Sequence, residues 1–116
     1  MNQSNGRYIL SEREVKIEDS VIMFDYPIIE FVEVSDMLIV RLEKPLNIIY
    51  NENVFGISLR EKKVKWRIAK RDYILNDCPF IKIRMFEGQL VLINWCSFYL
   101  YANPLNGEIL EEGFTK

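Results

Sequence analysis

A pattern of four short alternating runs occurs twice in this chain, and it leaves few folds open. Tyr26–Val34, Met37–Glu43, Asn53–Arg60 and Lys63–Ile68 form one set; Phe80–Phe86, Gln89–Trp95, Ser97–Asn103 and Gly107–Glu111 form the other. Each set reads strand, tight turn, strand, connection, strand, turn, strand, the layout of a β-propeller blade. The period is two within the runs. Phe55, Ile57 and Leu59 alternate with Gly56, Ser58 and Arg60; Val64, Trp66 and Ile68 alternate with Lys63, Lys65 and Arg67. Such alternation marks a strand with one buried face. Turn residues fall between the runs at Ser35-Asp36, Glu61-Lys62 and Glu87-Gly88, and a longer loop spans Asn103–Gly107. No comparable window has apolar residues at helical spacing. The expected fold is all-β and antiparallel: two four-stranded blade-like meanders, as a half-propeller or two packed sheets, with extra N-terminal strands.

The chain of 116 residues reads as one domain over 1–116, large enough for a real core. N-terminal strands occupy 1–25 (Tyr8–Leu10, Val15–Ile17, Val21–Phe24), and the two units occupy 26–68 and 80–111. The first unit carries an insertion, Lys44–Glu52, which reads as a protruding loop. Two units cannot close a ring, since closed propellers have about four to eight blades. A monomer or weak dimer is expected.

The second strands are apolar on both faces. Leu38, Val40 and Leu42 oppose Ile39; Leu90 and Leu92 oppose Val91, Ile93 and Trp95, beside Tyr99 and Tyr101. Such a sheet is either covered on both sides or kept open for a partner. The N-terminal strands or the insertion Leu46–Tyr50 would supply the cover.

The search for chemistry returns little. Histidine is absent, which removes the commonest general base and transition-metal ligand. Cys78 and Cys96 lack paired metal-site spacing and are too few for a disulfide scaffold, so both read as thiols in a reducing cytoplasm. Cys96 then packs as a small hydrophobe, and Cys78 sits at a bend before Pro79. No Gly-rich phosphate loop occurs, and Gly56 reads as a packing glycine. The N-terminus lacks the build of a signal peptide, and no apolar run approaches the ~20 residues of a membrane span. No enzyme, cofactor or metal is expected.

Charge is unevenly spread about a net of -2. Residues 1–59 hold ten acids against five bases, whereas 60–71 hold seven bases against Glu61 alone. Asp19, Asp25, Glu30, Glu33 and Asp36 are candidate charges for meeting a basic protein, with Tyr99 and Tyr101 as aromatic anchors. Arg60, Lys63, Lys65 and Arg67 form the alternative, an anion- or nucleic-acid-binding stripe. The same residues have a plain structural reading, because Lys on an outer strand blocks edge-to-edge aggregation.

Asn53–Leu59, Val64–Ile68 and Leu92–Leu110 together resemble a group of small bacterial proteins built from propeller-blade-like hairpins. These accompany polymorphic or contact-dependent toxins, some as immunity proteins. The resemblance spans about Asn53–Leu110 and implies a non-catalytic protein that binds and blocks one cognate toxin, a basic nuclease domain being the expected partner. It carries no binding residues with it, because its motif positions form hairpins.

Overall fold

The computed structural model describes residues 3–4, 6–71 and 76–114; residues 1, 2, 5, 72–75, 115 and 116 lie outside the described set. Every regular element in it is a strand. In chain order these are β1 (Gln3–Ser4), β2 (Ile9–Leu10), β3 (Glu14–Ile17), β4 (Ser20–Met23), β5 (Ile28–Val34) and β6 (Met37–Leu42). Then follow β7 (Val54–Ser58), β8 (Lys63–Arg67), β9 (Phe80–Phe86), β10 (Gln89–Asn94), β11 (Phe98–Ala102) and β12 (Ile109–Phe114). Among the described residues no helix is long and apolar enough to cross a membrane.

Both expected meanders are present, as sheets of order β5-β6-β7-β8 and β9-β10-β11-β12. The N-terminal strands go further than expected: they pair among themselves as β1-β2-β3-β4, a third antiparallel meander of the same order. The turns follow the sequence signals. Glu87 and Gly88 both take positive φ (50° and 80°), as a two-residue hairpin turn requires. The last strand runs Ile109–Phe114 rather than ending at Glu111, because Phe98 and Tyr99 pair with Phe114 and Gly113.

The middle sheet, β5–β8, is covered on both faces. Leu38, Val40, Leu42, Ile57 and Leu59 join Tyr8, Leu10, Val15, Ile17 and Phe24 of the N-terminal segment in one core. Ile39, Val54, Trp66 and Ile68 join Phe80, Ile83, Leu90, Leu92 and Leu100 of the C-terminal sheet in the other. The double-sided apolar pattern of β6 therefore has a direct cause. Trp66 is the keystone of the second core. Its ring lies where a Cβ on Gly56 would stand 2.1 Å away, and one on Gly107 (φ 75°) would stand 2.6 Å away. Its indole N–H donates to the Pro104 carbonyl at 2.9 Å. A bulge between Gly56 and Ile57 accommodates the ring, so Val64 leaves the buried row expected of it and is exposed.

The cysteine reading needs correction. Cys78 and Cys96 are joined in a disulfide with Cα atoms 5.5 Å apart, so neither is a free thiol. The β9–β10 pairing brings Phe80 opposite Asn94, and continuing two residues outward sets Cys78 against Cys96. The bond ties the entry of β9 to the turn that carries Trp95. A disulfide of this kind is at home in an oxidising compartment, which removes the cysteine argument for a reducing cytoplasm.

Candidate protein-binding face and adjoining cleft

Three of the five candidate acids are engaged inside the molecule. Glu33 accepts from Arg7 at 3.0 Å and from the Tyr8 hydroxyl at 3.0 Å, joining the middle sheet to the N-terminal one. Burial, then this hydrogen bond to a carboxylate, pushes the Tyr8 phenol up to about 12. Asp36 meets Arg7 at 2.7 Å and Arg60 at 3.2 Å, and these guanidinium groups hold its carboxyl below the usual carboxylate range. Glu30 binds Arg41 at 2.7 Å and accepts the Ile83 N–H of β9 at 2.9 Å, joining the middle sheet to the C-terminal one. Only Glu33 and Asp36 are brought together, through Arg7. Asp19 and Asp25 are exposed at opposite ends of β4, on a sheet that the middle sheet separates from Tyr99 and Tyr101.

The basic stripe sits where edge protection needs it, on β8 at the margin of its sheet. Lys63 and Lys65 both pair with Glu61, at 3.6 and 2.7 Å, and Arg60 pairs with Asp36. Arg67 donates to the Glu52 carbonyl at 2.7 Å and lies over the Tyr50 and Phe55 rings at 4.7 and 5.0 Å. Lys62 reaches Glu18 across the sheets. The four cations of the alternative site all have partners within the fold.

The two tyrosines are placed otherwise. With Leu90, Leu92, Leu100 and Ala102 turned into the core, the opposite face of the C-terminal sheet carries two cross-strand rows. One runs Arg84, Val91, Tyr101, Glu111; the other runs Lys82, Ile93, Tyr99, Gly113. The face is basic at β9, aliphatic at β10, aromatic at β11 and acidic at β12. The tyrosine rings lie 5.5 Å apart, and the Tyr99 hydroxyl reaches Glu111 at 3.3 Å. Partial burial and the Glu111 charge raise the Tyr99 phenol's pKa. A Cβ on Gly113 would lie 2.7 Å from the Tyr99 oxygen, so this glycine lets the ring lie flat on the neighbouring strand. The expected cover does not form among the described residues. The N-terminal strands pack on the far side of the middle sheet, and the insertion holds Leu46, Ile48 and Ile49 in solvent while Tyr50 turns toward Tyr26.

A cleft of about 420 Å³ opens beside this face, which sequence reasoning missed. Leu42, Pro79, Phe80 and Ile81 line it, with Leu46 of the insertion and Trp95 of the β10–β11 turn as walls. Arg41 and Lys44 reach it from the middle sheet, Lys44 held by Asp77 at 2.7 Å. Two asparagines anchor the surroundings by imitating a strand. The Asn53 side chain accepts the Phe80 N–H and donates to the Phe80 and Leu42 carbonyls, all within 2.9 Å. Asn51 accepts from the Cys78 N–H and donates to the Asn76 carbonyl in the same way. Asparagine at the alternate positions 51 and 53, just before β7, was the available signal. Among the described residues no group of three or more His, Cys, Asp or Glu side chains stands close enough together to hold a metal ion.

Comparison with family models matches residues 6–114 to a family described as Domain of unknown function (DUF7957). The chain belongs to that family. The match covers every strand from β2 to β12, so the DUF7957 unit comprises the N-terminal meander as well as the two blade-like ones. No curated protein matches the chain.

Proposed function

We propose that this DUF7957 protein is a non-catalytic protein-binding module, an immunity-type inhibitor that neutralises a cognate bacterial toxin. The observation that carries the reading is the outer face of the C-terminal sheet, over which no other sheet packs among the described residues. Tyr99 and Tyr101 stand there between an aliphatic strip and Glu111, while both faces of the middle sheet are buried. Tyrosine offers a large rigid contact area with a polar tip, which favours it as an interface anchor. The face selects a partner by charge: a basic edge toward Glu111 and an acidic or carbonyl-rich edge toward Lys82 and Arg84. A basic nuclease domain approaching from the β12 side meets the first requirement. Hairpin resemblance to toxin-associated proteins supports the finer reading. The pairing of Glu30, Glu33 and Asp36 within the fold favours the tyrosines and Glu111 as the contacts.

The test is rescue. A stoichiometric partner is isolated by tagged pull-down from nuclease-treated native lysate, expressed alone, and scored for toxicity with and without this chain. Wild type should restore growth, and Y99A/Y101A should lose rescue at an unchanged melting temperature, each anchor being worth ~2 kcal/mol or more of binding. Full rescue by the double variant, or a partner that is harmless alone, overturns the proposal.

A further inference from the structure

The cleft beside the disulfide has the features of a small-molecule site. Its volume of about 420 Å³ falls in the ~300–1,000 Å³ range of ligand pockets. Its two walls are large apolar side chains left in water: Leu46 is 96% exposed and Trp95 is 70% exposed. Each stands to gain from an occupant, since taking apolar surface out of water is favourable. The backbone that carries both walls is also held in place before anything binds. The Trp95 N–H donates to the Pro79 carbonyl at 2.9 Å, and the next residue is pinned by the Cys78–Cys96 bond. The loop bearing Leu46 is fastened at its ends by Lys44 on Asp77 and by Asn51 on residues 76 and 78. Pre-set walls reduce the ordering cost of binding.

The floor defines the ligand's polarity. Arg41 uses Nε on Glu30 and lays Nη1 3.4 Å from the Phe80 carbonyl; Lys44, its side chain only 6% exposed, meets Asp77. An arginine has five N–H donors and a lysine three, so donors remain on both. The charges are already balanced, with Glu30 and Asp77 matching the two cations and Glu43 adding one negative charge at the rim. An anion entering the cleft would lose its hydration without finding a net positive field. A neutral acceptor avoids that cost. We infer that the cleft between Leu46 and Trp95 binds an uncharged, flat or branched apolar molecule bearing a carbonyl or hydroxyl acceptor that faces Arg41 and Lys44.

The site is independent of the tyrosine face, and so is its test. The probes are 2-acetylnaphthalene, which is neutral with one acceptor, and 2-naphthoate, the same body bearing a charge. Binding is read by nuclear magnetic resonance at the two indole N–H signals, since Trp66 and Trp95 are the chain's only tryptophans. The neutral probe should shift the Trp95 signal saturably below 1 mM while the Trp66 signal stays still, and naphthoate should bind at least tenfold more weakly. Leu46→Asp, a change at an exposed side chain, should abolish the shift without altering the melting temperature. Three results overturn the inference: no saturation up to 1 mM, an equal shift at Trp66, or unchanged binding by the Leu46→Asp variant. Equal or tighter binding of naphthoate overturns the uncharged ligand class.

Discussion

Removing the Asn53 side chain should loosen the joint between the middle and C-terminal sheets. Asn53 is 1% exposed, and its amide makes three bonds: to the Leu42 carbonyl at 2.8 Å and to the Phe80 carbonyl and N–H at 2.9 Å each. Asn53→Ala takes the side-chain partner from backbone groups of residues that are themselves at most 4% exposed, with only the 3.4 Å Arg41 contact remaining on the Phe80 carbonyl. A buried group stranded in this way costs about 1–3 kcal/mol. With two groups stranded outright and a third partly served, the loss should be about 3–5 kcal/mol. For an m-value of about 1.5 kcal/mol/M, a loss of about 4 kcal/mol lowers the urea midpoint by about 2.5 M. Asn53→Asp sharpens the test. It keeps the shape and an acceptor for the Phe80 N–H but turns an oxygen toward two carbonyls, so it should be at least as damaging as Ala. The assay is equilibrium urea unfolding followed by tryptophan fluorescence. A loss under about 1 kcal/mol for Asn53→Ala would show that the asparagine clasp does not hold the sheets together, and the reasoning would fail.

Four further outcomes are expected. Reducing the Cys78–Cys96 bond, which spans a separation of 18 residues, should cost about 3 kcal/mol on the chain-entropy scale; Cys78→Ser/Cys96→Ser unfolding in urea, compared with oxidised wild type, measures it. Gly56→Ala would drive a methyl to 2.1 Å from the Trp66 ring, so a loss of about 3 kcal/mol or more is expected, with displacement of the Trp66 indole signal. The Tyr8 phenol is raised from 10.0 to about 12 in the folded chain. The folded state therefore keeps a proton that the unfolded chain releases, and this stability, full below pH 10, is lost as pH rises toward 12. Chemical unfolding at pH 9 to 12 should show that decline in wild type and a shallower one in Tyr8→Phe. Finally, Lys63→Ala/Lys65→Ala/Arg67→Ala should leave retention on single-stranded DNA resin at low salt unchanged, because those cations are occupied within the fold; a steep salt slope abolished by the triple change would restore the stripe as a binding site.

Much of the architecture was legible because it rests on short-range pattern. Alternation along Phe55–Leu59, with turn residues between runs, identifies antiparallel hairpins without reference to distant residues. The doubly apolar β6 left cover on both faces or an open partner face as alternatives, and the structure covers both. The N-terminal meander was less visible because β1 and β2 have two residues each, too few for a period to register. The disulfide was hidden by a single irregularity. The β9–β10 register holds one offset from Gln89 to Ile93 and then shifts between Ile93 and Asn94, and only the shifted register sets Cys78 opposite Cys96. A bulge leaves no reliable mark in one sequence.

The acids show what charge alone leaves out. Composition reports that Glu30, Glu33 and Asp36 are acidic, but not that Arg7, Arg41 and Arg60 arrive from other elements to meet them. In a stack of sheets the edges of adjacent layers lie close, and edge strands there expose backbone N–H groups that need acceptors. A carboxylate on β5 answers that need, as Glu30 does for the Ile83 N–H. The same logic explains Asn51 and Asn53, whose amides serve an N–H and a carbonyl together. Polar residues near an inter-sheet edge are thus recruited first by the scaffold. Among the described residues no further sheet packs on the outer face of the C-terminal sheet, and there alternation places Ile93, Tyr99 and Tyr101 opposite the core, around a Val91 that their row buries.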